Sequence, residues 1–141
     1  MKNDEGFSVE VESRFEGWWR YNVTILCGCF DASGERVGFA SAERIVAPVG
    51  SDPSVSSEDI AAARRGIGIR SVACDHIVMY VYIVPHTLPE TREIGEALAF
   101  DVRLRIGYGG APLTDARYKI NPWSGASLEI KLRNDGTPFV Q

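Results

Sequence analysis

HIVMYVYIVPH, residues 76 to 86, is the most apolar stretch of the chain, and the only two histidines stand at its ends. The run from Ile77 to Val84 is unbroken, and its length decides between two readings. A helix that crosses a bilayer needs about 20 apolar residues. This run is too short, and the prolines at 85 and 89 close it. A short apolar run rich in β-branched and aromatic residues reads instead as a strand in the middle of a sheet, buried on both faces.

Outward from that strand, alternation with period two dominates the chain. Phe7, Val9, Val11 and Phe15 point one way, and Glu10, Glu12, Arg14 and Glu16 the other. Trp19, Tyr21, Val23, Ile25, Cys27 and Cys29 share one face of the next strand, and these two strands are expected to pair as a hairpin. The turn DASGE at 31–35 predicts a second hairpin into RVGFASAERIVA. SSEDIAAARRG at 56–66 predicts a short helix, with serine as N-cap, acids in the first turn, arginines in the last and glycine as the stop. Phe100, Val102, Leu104, Ile106 and Tyr108 form the best amphipathic strand. A glycine turn, a short strand RYKI, the loop NPWSG and a last strand with Leu128, Ile130 and Leu132 inward complete the pattern.

About seven to eight evenly spaced strands without βαβ alternation predict an all-β antiparallel sandwich, with an open barrel as the alternative. A chain of 141 residues fits a single domain spanning 1–141, and 45% hydrophobic with 24% charged residues is ordinary globular composition. The net charge of −4 gives no positive field to attract nucleic acid. MKNDEGFSVE lacks the basic-then-apolar pattern of a signal peptide, no transmembrane segment is expected in this chain, and localisation stays open.

Catalytic chemistry finds little support. There is no G-x-S-x-G elbow, and the cysteine and histidine positions define no dyad by themselves, so a non-catalytic chain is expected. His76 and His86, ten apart on a strand, stand roughly 33 Å apart at about 3.3 Å per residue, too far to share an ion. A better metal set is Cys27, Cys29, Cys74 and His76, which meet only if the ends of two strands adjoin. The competing reading makes Cys27 and Cys29 small core residues, and no cofactor is expected. GSDPSV at 50–55 resembles the calcium loop of C2 domains, over six residues. Calcium needs six to eight oxygens, and Asp52-Pro53 is more simply a turn.

The aromatic residues carry the binding expectation. Trp18 and Trp19 are consecutive, so opposite faces of a strand receive them, and Trp18 is expected outside. Trp123 in NPWSG, flanked by Tyr108 and Tyr118 with Arg117 beside them, forms a candidate aromatic surface. Arg103, Arg105, Arg117, Lys119, Lys131 and Arg133 are either an anion-binding face or members of cross-strand pairs with Glu10, Glu12 and Glu16. The sequence therefore points to a binding module for a protein partner or a second copy of itself. A carbohydrate-binding module is the alternative, with Asn121, Asp115 and Arg117 as hydrogen-bonding groups.

Overall fold

The structure is a computed structural model that describes residues 6–14, 18, 21–44, 66–85, 99–121 and 124–138. Among them are eight strands: β1 (Phe7–Glu12), β2 (Tyr21–Phe30), β3 (Arg36–Arg44), β4 (Ile67–Arg70), β5 (His76–Pro85), β6 (Phe100–Tyr108), β7 (Ala111–Ile120) and β8 (Ala126–Arg133). They form two antiparallel four-stranded sheets, ordered β4-β1-β6-β7 and β3-β2-β5-β8. The chain is an all-β sandwich, as the alternation predicts. The expected helix from Ser56, the loop around Asp52, and Phe15, Glu16, Trp19, His86 and Trp123 lie outside the described residues.

β5 is a central strand. It pairs with β2 from Tyr21↔Pro85 to Phe30↔His76, and with β8 from His76↔Arg133 to Ile83↔Ala126. Its inward row, Ile77, Met79, Val81 and Ile83, is fully buried. The expectation of burial on both faces needs correction, because Val78, Tyr80 and Tyr82 are half-buried and Val84 is 41% exposed. The unbroken apolar run hides an ordinary inward-outward alternation whose outward members are also apolar.

The facing sheet supplies Phe7, Val9 and Val11 from β1 and Phe100, Val102, Leu104 and Ile106 from β6, all in one cluster with the inward rows of β2 and β5. Period-two alternation is what lets both sheets put a continuous apolar layer between them. The expected β1–β2 hairpin does not form. β1 pairs with β4 and β6, while β2 pairs with β3 and β5, so the chain crosses between sheets after β1. Each strand carries one apolar row, and rows that must face one another across the core belong in different sheets.

The DASGE hairpin does form. The Asp31 carboxylate accepts from the backbone N–H groups of Ser33 and Glu35, and Gly34 takes φ of 91°. β7 is longer than the expected RYKI and hairpins with β6 through Gly109 and Gly110. Gly125, at φ 69°, lets the chain re-enter the second sheet after β7. A Cβ there would collide with the Ile83 carbonyl of β5.

Two substitutions check this register. Ile25→Ala, at a fully buried inward position, is expected to cost about 2–5 kcal/mol in urea unfolding. Leu26→Ala, its half-buried outward neighbour, should cost clearly less. Equal losses at the two sites would contradict the assigned faces.

Candidate functional site

Trp18 is the first site expectation to be corrected: it is fully buried. The alternation argument fails because Trp18 precedes β2, which begins at Tyr21. Its ring lies 6.1 Å from that of Tyr21 and meets Phe100 edge-on at 6.0 Å. The Arg44 guanidinium stands 4.7 Å above it and donates from Nη2 to the carbonyls of Trp18 and Tyr21 at 3.1 and 2.8 Å. Burial lowers the Arg44 pKa to about 10, which leaves it charged at neutral pH. Trp18 thus closes one end of the core, where an indole face, two aromatic neighbours and a cation combine.

The other expected binding residues do not converge. Tyr108 meets the Phe7 ring edge-on at 4.7 Å, and its Oη accepts the Cys74 N–H at 3.1 Å. Tyr118 packs partly buried against the core, opposite Val102. Tyr108 and Val102 are six residues apart on β6, so the two tyrosines lie about 20 Å from each other. Arg117 is exposed on the outer surface, opposite Arg103.

That outer surface of the first sheet is an ion-pair lattice. Arg103 forks onto Asp115 at 2.9 and 2.6 Å and comes within 3.7 Å of Glu12. Arg105 bonds Glu10 and lies 3.4 Å from Glu12, and Lys119 reaches Asp101 at 2.7 Å. The Arg103 fork holds the Asp115 carboxyl below its ordinary 3.8. Cross-strand pairing therefore occupies most of the charges that an anion-binding face would need. A cleft of about 470 Å³ remains beside Ser13, Arg14, Phe100 and Arg117, with both carboxylates and guanidiniums on its walls.

The cysteines and His76 divide between two faces. Cys27 and Cys29 are fully buried on the inward row of β2, as the core reading has it. The half-buried Cys74, in the β4–β5 connection, packs against the same core, and its thiol donates to the His76 carbonyl at 3.6 Å. His76 opposes Phe30 on the outward side, its ring stacked on the phenyl at 5.4 Å and its Nδ1 bonded to Asp75 Oδ2 at 2.8 Å. The zinc reading is corrected accordingly: among the described residues no group of three or more histidine, cysteine, aspartate or glutamate side chains could hold a metal ion. Cys74 and His76 are two apart, but the chain bends before β5 and sends the thiol inward and the imidazole outward.

What the sequence reading missed is the outer surface of the second sheet. Cross-strand register places Phe39, Gly28 and Val78 in one row and Leu26 and Tyr80 in the next, with Tyr82 and Val84 further along β5. Phe39 is 55% exposed and Val37, beside it on β3, is 47% exposed. The rings of Tyr80 and Tyr82 lie 6.3 Å apart and 12° from parallel, and Tyr80 Oη donates to Glu129 Oε2 at 3.0 Å. The signal was present in the apolar residues Val78, Tyr80, Tyr82 and Val84, which were read as a second buried face.

The sequence matches no protein-family model and none of the curated proteins. Among solved structures, the chain is similar to the crystal structure of a DUF4425 family protein from Bacteroides ovatus, at 8% identity and a TM-score of 0.42, over 92% of this chain and 94% of that one. Among the described residues no helix is long and apolar enough to cross a membrane.

The buried thiols make stability depend on alkaline pH. Burial is the first cause that raises both Cys27 and Cys74 above the ordinary 9.0, Cys74 to about 11. The folded chain holds these protons more tightly than the unfolded one, so the stability they contribute is complete below pH 9 and is lost as pH rises toward 11. Urea unfolding at pH 7 and pH 10 should show this loss, and Cys74→Ser should reduce it. An unchanged pH dependence in that variant would contradict the assignment.

Proposed function

We propose that this chain is a non-catalytic binding module that engages a protein surface through the outer face of the β3-β2-β5-β8 sheet. The observation that carries the reading is the contrast between the two outer faces. One is a lattice of glutamates, aspartates, arginines and lysine, while the other presents Phe39, Leu26, Val78, Tyr80, Tyr82 and Val84. An apolar strip across β3, β2 and β5, bordered by Ser127, Glu129 and Lys131 of β8, is the arrangement of an interaction surface with a polar rim, and aromatic side chains supply its rigid area. The candidate catalytic groups have other roles: Cys27 and Cys29 fill the core, and His76 is held between Phe30 and Asp75.

A second copy of the chain is the partner to test first, since it needs no other molecule. Sedimentation velocity across a concentration series should show reversible association, and Phe39→Ser with Tyr82→Ser should weaken it at least about tenfold, the range in which one or two aromatic anchors act. A wild-type chain whose solution behaviour is indistinguishable from the double variant's would count against this face.

One observation favours a second reading. Near-parallel tyrosines with a carboxylate alongside also suit the stacking of a sugar ring, with Tyr80 and Tyr82 as the platform and Glu129 as acceptor. A glycan array would separate the two readings, because a protein-binding face gives no signal that depends on Tyr82.

A further inference from the structure

We propose that the cleft beside β1, β6 and β7 is a binding site for a small phosphate monoester, a phosphorylated sugar, held by Arg14 and Arg117. The proposal is independent of the apolar strip, which lies on the outer surface of the other sheet.

Outward residues of β1, β6 and β7 stand in rows across their sheet. Glu10, Arg105 and Asp115 form one row, and Glu12, Arg103 and Arg117 the next. The second row holds two guanidiniums side by side, because Arg117 is directly opposite Arg103, and like charges in that position repel. Arg103 is compensated, since both Asp115 oxygens accept from it, at 2.9 and 2.6 Å. With Asp115 committed, Arg117 makes no ion pair or hydrogen bond among the described residues.

Arg14 is the second such cation. It continues the outward row of Glu10 and Glu12 two residues past the end of β1, so register sets it beside Asp101. The Ser13 hydroxyl donates to the Asp101 carbonyl at 2.7 Å and keeps the chain alongside β6 there. The Asp101 carboxylate is engaged by Lys119 at 2.7 Å. Arg14 is exposed and likewise has no ion pair or hydrogen bond among the described residues.

Both arginines line the same cleft of about 470 Å³, together with Glu12, Phe100 and Asp101. That volume falls in the range of small-molecule sites, roughly 300–1,000 Å³. The Cα atoms of Arg14 and Arg117 lie about 12 Å apart, two strand spacings across and two residues along. Two extended arginine side chains bridge that span around one anion. A carboxylate has two oxygens, and one guanidinium fork satisfies it. A phosphate monoester carries about two charges and three acceptor oxygens at neutral pH, so it takes donors from both arginines. The nearby carboxylates suit the rest of the ligand. Glu12 is neutralised by Arg103 and Arg105, and Asp101 bonds Lys119 through Oδ1, which leaves Oδ2 to accept from a hydroxyl. Hydroxyls next to a phosphate describe a phosphorylated sugar.

An NMR titration of the full chain that follows the arginine Nε–H signals tests the proposal, at low ionic strength where screening is weakest. Inorganic phosphate is the minimal probe, and glucose 6-phosphate and ribose 5-phosphate add the hydroxyls. All three should shift the Arg14 and Arg117 signals, and the esters should bind about fivefold tighter than inorganic phosphate, the worth of one added hydrogen bond. Gluconate, with a carboxylate in place of the phosphate, should bind more weakly than either ester. Arg14→Gln and Arg117→Gln should each weaken the esters at least about tenfold, as loss of a charge-assisted bond does, whereas Lys131→Gln, on the other sheet, should leave them unchanged. Because Arg117 stands uncompensated beside Arg103, Arg117→Gln should melt no lower than the wild type without ligand. Signals that no probe moves, gluconate or inorganic phosphate bound as tightly as the esters, or an Arg117→Gln chain that melts several degrees lower would each overturn the proposal.

Discussion

The double pairing of β5 is the constraint on which the rest depends. With β2 on one side and β8 on the other, its backbone polar groups are satisfied within the sheet, and the strand cannot rotate about its axis. That fixes Ile77, Met79, Val81 and Ile83 toward the core, and the same ladders align Val23, Ile25 and Cys27 beside them. The facing sheet then has one place to put Val102, Leu104 and Ile106. A one-residue slip of β5 would send its inward row to the surface and bring Tyr80 and Tyr82 inside.

The same constraint generates the asymmetry between the two outer faces. Once the inward rows are committed, whatever lies at the alternate positions is displayed. On β1, β6 and β7 these positions carry Glu10, Glu12, Arg103, Arg105 and Asp115, whose cross-strand pairs keep that face wet and closed to apolar contact. On β2, β3 and β5 they carry Leu26, Phe39, Val78 and two tyrosines. The proposed interaction face and the buried thiols of Cys27 and Cys29 therefore occupy opposite sides of one sheet.

Much of the architecture was legible in the sequence because period-two alternation is a local property of each strand. Phe100 to Tyr108, the DASGE turn and the centrality of β5 could be read from residue order alone. The β1–β2 crossing could not, since alternation is the same whether consecutive strands pair or part. Site prediction failed where local rules stopped applying. Trp18 looked exposed under strand alternation, yet it lies before the strand begins and is closed over by Arg44, a residue 26 positions away.

The most direct test of this account is residue-resolved amide hydrogen exchange under native conditions. The amides of β5 from Ile77 to Ile83, paired on both sides, are expected among the slowest to exchange, opening only with global unfolding. Those of β7, which lies at the edge of its sheet and pairs with β6 alone, should include a fast set pointing away from β6. If the β5 amides exchanged as readily as that fast set, β5 would not be the strand that organises the sandwich, and the faces assigned from it would not stand.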